Sequence, residues 1–245
     1  MNEEQSNQLT DDFSKIPKLK DIGRYYVNNF VKDVAAKLPE GFLILDAGAG
    51  ECAYKKYFSH CQYKSVDLAV GDDKWCYQHL DYIAPLDDLP IDDNVFDAVL
   101  STQVLEHLSK PQESLCELYR VLKKNGTLYL TAPMAQAEHQ IPYDFFRYTS
   151  YGLKHLLMTA GFSSIDVKPM GGCFVRWAYE LPSVINLFPR IGYTKGEFNL
   201  NGLLLMPLRR MVSALVILLQ IILIYLDRFD DTGKDTWGWQ VIAIK

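Results

Sequence analysis

Apolar positions recur at helical spacing from Ile22 to Leu38 (Ile22, Tyr25, Tyr26, Phe30, Val31, Val34), and Pro39-Glu40-Gly41 closes the run with breaker chemistry. The spacing predicts a lead-in helix. Leu43-Ile44-Leu45 has a different texture, a continuous apolar run that stops at Asp46 and turns at once through Gly48 and Gly50. That is the pattern of a buried parallel strand, here over 42–46, entering a tight turn. Downstream the pattern predicts a helix near 51–59, a short strand ending at Val66-Asp67 and a Gly/Asp-rich turn at 71–73. A strand at Phe96–Leu100 follows, then a helix from Pro111 to Lys124 with proline at its start and Asn125-Gly126 at its end. Thr127–Ala132 reads as the next strand. Thr149 or Ser150 caps a helix to Ala160, Gly161 stops it, and a strand follows at 163–169. Such alternation predicts an α/β fold, a mostly parallel sheet with helices on both faces.

Residues 171–235 break this rhythm, because the next strand-like run is the C-terminal Trp237–Lys245. The segment reads as an insertion before the last strand, dividing the chain into a domain of 1–170 plus 236–245 and an apolar helical insertion. Leu203–Leu226 is nearly all apolar, interrupted by Pro207, Arg209-Arg210, Ser213 and Gln220. Its uncharged part, 211–226, makes a helix of roughly 24 Å at about 1.5 Å per residue, short of the ~30 Å hydrocarbon core. A single crossing would also strand the last strand across the bilayer, which an apolar hairpin with 173–188 avoids. Ser213, Gln220 and Asp227 form a thin polar stripe at a spacing of seven. Burial of such a helix calls for a membrane interface, a second subunit in a homodimer, a lid over a greasy acceptor, or the monomer's own interior. Arg190, Lys195, Arg209 and Arg210 flank the region and suit anionic headgroups, favouring peripheral membrane contact through 173–226.

A chain of 245 residues is long enough for one large α/β domain with decorations. The formal net charge of −5 and the scattered basic residues give no phosphate-backbone footprint, so no nucleic-acid partner is expected. Five cysteines without a CxxC pair fit reduced thiols and suggest no structural zinc site. Residues 1–18 are polar, expected to fray, and begin with an acidic stretch unlike a secretory signal, which points to the cytoplasm.

Gly48-Ala49-Gly50-Glu51-Cys52-Ala53 satisfies G-x-G-x-x-A, which alone suits a nicotinamide or flavin as well as any other adenosine cofactor. Asp46 changes the picture, since a carboxylate before the glycines suits a cationic nucleotide-like ligand. Asp67, about twenty residues on, ends the second strand, where it can accept hydrogen bonds from ribose hydroxyls. Leu45–Gly50, Val66-Asp67, Leu89-Pro90 with Phe96–Val99, Val104-Leu105-Glu106-His107-Leu108 and Glu117–Gly126 occur in an order that resembles class I S-adenosylmethionine-dependent methyltransferases, particularly the type-11 group. Gly238-Trp239-Gln240-Val241 is similar to that family's final strand. The resemblance implies a Rossmann-like seven-stranded sheet with its last strand antiparallel and S-adenosyl-L-methionine as cofactor. Asp46, Gly48 and Gly50 would surround the methionine part, and Asp67 would hold the ribose. The third glycine of the motif falls on Cys52, and the adenine-contacting acid falls near Pro85, so Leu86, by its backbone, or Asp87 would substitute.

Methyl transfer from a sulfonium is a direct displacement that needs alignment and, for a hydroxyl or amine, a proton acceptor, but neither a metal nor a covalent intermediate. The loop after the fifth strand, Glu138–Thr149, concentrates titratable and aromatic residues. Its Pro142–Thr149 string resembles bacterial type-11 methyltransferases whose acceptors are often cell-surface glycans or lipid-linked precursors. His139 or His107 is the candidate general base, with Tyr143, Asp144 and Arg147 placing the acceptor. The other reading has Asp144 and Arg147 pairing locally, Phe145, Phe146 and Tyr148 packing on the sheet, and the histidines only ordering loops. Competing functions are methylation of a small soluble metabolite with a dimerising insertion, a non-catalytic partner subunit, and a nicotinamide oxidoreductase.

Overall fold

A computed structural model describes residues 21–245 apart from 72–74, 190–192, 195–196 and 199. The start expected to fray, Arg190, Lys195 and most of the turn at 71–73 lie outside the described residues. In chain order the elements begin with α1 (Ile22–Lys37), β1 (Leu43–Ala47), β2 (Gln62–Asp67), β3 (Tyr82–Ile83), β4 (Phe96–Thr102), α2 (Pro111–Val121) and β5 (Leu122–Pro133). They continue with α3 (Ser150–Ala160), β6 (Ser164–Met170), α4 (Cys173–Glu180), β7 (Tyr193–Thr194), β8 (Glu197–Phe198), α5 (Leu200–Leu204), α6 (Met206–Leu226) and β9 (Gly238–Ile244).

β1 pairs in parallel with β2 on one side and β4 on the other, and β4 with β5. β9 enters between β5 and β6, antiparallel to both, so the sheet runs β3-β2-β1-β4-β5-β9-β6. The central strands β1 and β4 are apolar on both faces because both are covered. Leu45, Val99, Leu128 and Val241 pack with Leu115 and Leu118 of α2 and Leu153 and Leu157 of α3 in one buried cluster. α3 starts where predicted, with the Thr149 hydroxyl accepting from Gly152 N at 3.0 Å, and ends at Gly161 with φ +108°. Such a cap contributes about 1 kcal/mol.

Three local expectations fail for identifiable reasons. No α-helix occupies 51–59: Cys52 sits at φ +56°, a left-handed conformation that interrupts a helix, and only a 3-10 turn at Lys55–Tyr57 forms. α2 stops at Val121 rather than Lys124, because the buried Leu122 is already extended and pairs with Phe96 of β4. Asn125, at φ +63°, and Gly126 then lie inside β5, in the stretch where its register on β4 shifts. The two-residue β3 is too short to leave a periodic signal.

The chain divides into two compact units, Val27–Met170 with Thr236–Lys245, which contains the sheet, and Met1–Tyr26 with Gly171–Asp235. In the second unit, the polar stripe of α6 has structural partners. Gln220 donates to the Ala178 carbonyl at 2.8 Å, and Asp227 accepts from Gly172 and Val175 N–H groups at the start of α4. Asp230 accepts there from Cys173 N at 2.7 Å. These carboxylates satisfy amides that α4 leaves unpaired at its N-terminus. Ile22, Val175 and Ala178 pack together with Tyr26, Leu223 and Ile224. Val216 is buried as well, while Met211, Leu215, Ile217, Leu218, Ile222 and Tyr225 are exposed among the described residues.

Candidate active site

The turn after β1 is built from the two glycines and the tip of β2. Gly48 has φ +83°, and a Cβ there would stand 2.3 Å from Val104, so the position admits only glycine. Gly50 also has positive φ, +51°, yet a Cβ on it would meet nothing within 4 Å. Open space beside a left-handed glycine is what close approach of a ligand to backbone requires. Asp67 ends β2 and ties this turn: its two carboxylate oxygens accept from Gly50 N at 2.9 Å and Ala69 N at 2.8 Å. Each oxygen keeps a second acceptor site suited to a ribose hydroxyl.

Asp46 is buried and receives the Tyr63 hydroxyl at 2.5 Å from the neighbouring strand. Burial pushes its carboxyl up to about 7; the Tyr63 hydrogen bond opposes the rise and the negative charge of Asp67 adds to it. Such a carboxylate is a cation site in waiting, since a positive ligand would compensate the charge that burial disfavours. The turn, the open space at Gly50 and the two acids fit a cationic adenosine compound. Leu86 lies in the turn after β3 with its side chain in the core, while Asp87 is paired with Lys110 at 3.0 Å.

The second group of residues lies on the turns after β4 and β5. Val104, against Gly48, opens a 3-10 turn at Leu105–His107. The Glu106 carbonyl accepts from Phe145 N at 2.9 Å and Phe146 N at 3.2 Å, and the Tyr148 hydroxyl donates to the Leu105 carbonyl at 2.9 Å. These bonds dock the 138–149 loop on the β4 turn and set the His107 and His139 rings edge to face, 4.7 Å between centroids. His107 Nδ1 faces the Tyr143 carbonyl at 2.5 Å. Burial, helped by the neighbouring His139, holds the His107 imidazole below its ordinary pKa against that hydrogen bond.

Asp144 and Arg147 form a two-pronged pair at 2.7 and 2.8 Å. The same guanidinium donates to the carbonyls of Gln136, Ala137 and Phe146, and Asp144 accepts from His139 N at 2.9 Å. Arg147 holds the Asp144 carboxyl well below the usual carboxylate range. Local pairing therefore describes these two, and together they hold the loop. Tyr143 is 43 % exposed, and Phe145 and Phe146 are also exposed rather than packed on the sheet. Tyr148 is buried, with Trp239 donating to its carbonyl.

Other motif residues have architectural work. Arg120 joins Glu117 and Asp93 and donates to the Leu89 and Ile91 carbonyls, locking the Leu89-Pro90 turn to α2. Tyr63, which holds Asp46, was invisible in sequence because its role depends on strand register. Glu106 was visible only as part of a motif. Its side chain is fully buried, with burial pushing the carboxyl up to about 8.

A parallel sheet with one antiparallel strand beside its edge, and acids at the tips of its first two strands around a glycine turn, is the arrangement that the resemblance to class I methyltransferases led one to expect. Residues 45–130 match the type-11 family described as Methyltransferase domain. Similar solved structures include an S-adenosylmethionine-dependent methyltransferase from Archaeoglobus fulgidus, 14% identical over 91% of this chain and 95% of that one, TM-score 0.56. The [4+2]-cyclase SpnF is 18% identical over 88% and 80%, TM-score 0.54. A complex between the Haloferax volcanii Trm112 methyltransferase activator and a methyltransferase matches at 16% identity over 88% of each chain, TM-score 0.52. At these identities the likeness is one of fold, and the cyclase illustrates that one fold carries several chemistries. No curated protein matches this sequence significantly.

Proposed function

We propose that this methyltransferase acts on an oxygen of a hydrophobic acceptor, a lipid-linked or cell-surface glycan precursor, at the cytoplasmic face of a membrane. The carrying observation is the unpartnered apolar face of α6. The helical stretch Met206–Phe229 is long and apolar enough to cross a membrane, which revises the shorter sequence estimate, and only 11% of its most apolar window is buried. The insertion nevertheless begins and ends in hydrogen-bonded neighbours, since Met170 of β6 pairs with Gly238 of β9. One crossing cannot return the chain to the strand beside the one it left. An in-plane helix, with Arg209 and Arg210 at anionic headgroups, meets both constraints.

S-adenosylmethionine supplies an electrophilic methyl group on a sulfonium. Asp46, Gly48 and Gly50 would line its methionine part, with Asp46 supplying the countercharge, Asp67 would hold the ribose and the Leu86 backbone would meet the adenine. At the other turn, Tyr143 would contact the acceptor, and His107 or His139 would receive the proton that its hydroxyl loses. The tautomer supports this role for His107: the Tyr143 carbonyl only accepts, so Nδ1 carries the hydrogen and Nε2 a lone pair.

The test combines flotation with labelled methyl transfer. Wild-type protein should float with phosphatidylglycerol vesicles and label a lipid-extractable acceptor from methyl-labelled S-adenosylmethionine. The L215E/L218E/I222E variant, altered on the exposed face, should stay unbound and label the lipid fraction at least tenfold less. Label confined to soluble metabolites by a non-floating wild-type protein contradicts the proposal.

A further inference from the structure

Glu106, His107 and His139 come together at the docked turns with polar atoms that the other described residues leave unsatisfied. Among the described residues, no other residue hydrogen-bonds to either Glu106 carboxylate oxygen or to His107 Nε2, and all three atoms are buried. Buried polar groups normally find partners, and a carboxylate beside an imidazole nitrogen is a costly pair to leave bare. One ligand atom from each of Glu106, His107 and His139 lies within 4.8 Å of the others, and His107 Nε2 is 3.9 Å from Glu106 Oε1. We propose that these three residues form a binding site for a divalent transition-metal cation.

The outer hydrogen bonds favour that use. The carbonyl facing His107 Nδ1 fixes the tautomer that offers Nε2 as a ligand. His139 Nδ1 lies 3.2 Å from the Ala137 carbonyl and 3.5 Å from the Asp144 carboxylate, both acceptors, so its lone pair is likewise at Nε2. An imidazole that binds metal through one nitrogen while the other donates to a carbonyl or carboxylate is the usual supporting arrangement. Asp144 is itself fixed by Arg147, so the loop pair orients a ligand. Ligands at about 2.1 Å from a shared ion stand roughly 3–3.5 Å apart, so small side-chain rotations close the trio.

Two imidazoles and one carboxylate suit zinc, iron(II), manganese or cobalt better than magnesium or calcium, which prefer oxygen ligands throughout. Three protein ligands leave coordination positions for another group. On the reading proposed above, on which this step rests, that group is the acceptor hydroxyl. Coordination would acidify it and release its proton to water; the oxygen then forms the bond to the methyl carbon as the carbon–sulfur bond breaks, leaving the neutral thioether. The histidines would then serve as ligands, with the cation replacing them as the means of removing the proton.

Cobalt(II) and zinc(II) titrations of the EDTA-dialysed full-length protein test the site. Visible cobalt absorption bands at a one-to-one ratio, displaced by zinc, are expected, with binding weakened at least tenfold in E106Q and in H139A. S-adenosylmethionine calorimetry on the same samples should give unchanged affinity in both variants, which controls for folding. Absence of cobalt and zinc binding in wild type, or binding unaltered in both variants, overturns the metal site. Metal binding without cofactor binding would instead contradict the methyl-transfer reading alone.

Discussion

Asp46→Asn is expected to weaken S-adenosylmethionine binding by about 10–100-fold, the loss of one buried charge-assisted contact, while making the cofactor-free protein more stable at pH 8. The stability sign follows from the raised carboxyl. With a folded pKa of about 7 against an ordinary value of 3.8, the folded state holds a proton that the unfolded state has lost between those values. This group's contribution is therefore most favourable below the unfolded pKa and declines as pH rises through the folded one. Asparagine removes the ionisation while its amide oxygen can still accept from Tyr63. Thermal unfolding should rise by about 1–3 kcal/mol at pH 8 and change little at pH 4, the pattern of a functional acid kept at a cost in stability. Cofactor affinity in wild type should climb between pH 5.5 and 7.5 as Asp46 gives up its proton, and the variant should lose that climb. Calorimetry across this window checks both; equal pH dependence in the two proteins contradicts the placement of the sulfonium beside Asp46.

Arg147→Ala should be the most damaging change in the acceptor loop. It removes both guanidinium hydrogen bonds from a carboxylate whose side chain is 4% exposed, leaving it the His139 N–H, and frees three carbonyls that the guanidinium gathers. Removing one member of a largely buried pair costs about 3 kcal/mol, which corresponds to roughly 6–12 °C in a chain of this size. Methyl transfer should be lost, because Asp144 no longer fixes His139, while affinity for S-adenosylmethionine should stay within about twofold, since Asp46 and Asp67 belong to other strands. The D144A/R147A double variant should unfold at a higher temperature than R147A, as it leaves no orphaned charge. A double variant less stable than R147A would show that Arg147 acts through its carbonyl contacts instead.

The parts of the fold legible in sequence are those written as unbroken apolar runs or as turn chemistry. Leu43–Leu45 and Phe96–Leu100 read as strands because each is covered on both faces, Val241–Ile244 because its apolar run continues to the chain's last strand, and Thr149 and Gly161 mark their helix ends by side-chain and backbone chemistry. The glycine turn and Asp67 were readable for the same reason: few residue types tolerate that geometry. Other features depend on tertiary partners. Leu122 leaves its helix because β4 offers a pairing surface, and Cys52 takes a left-handed backbone that its residue type does not announce. The polar stripe on α6 gained its meaning only when Asp227 and Gln220 met α4. Glu106, His107 and His139 are 33 positions apart at their extremes in the chain, and only the docking of one loop on another makes them neighbours.

The central claim is that the acids at the tips of β1 and β2 bind S-adenosylmethionine. Calorimetric titration of the purified protein at pH 7.5 with S-adenosylmethionine and, separately, with NADH tests it most directly. The account predicts one-to-one binding of the sulfonium compound, abolished in D67A, and no heat from NADH. Saturable binding of NADH by a folded protein that ignores S-adenosylmethionine would contradict it.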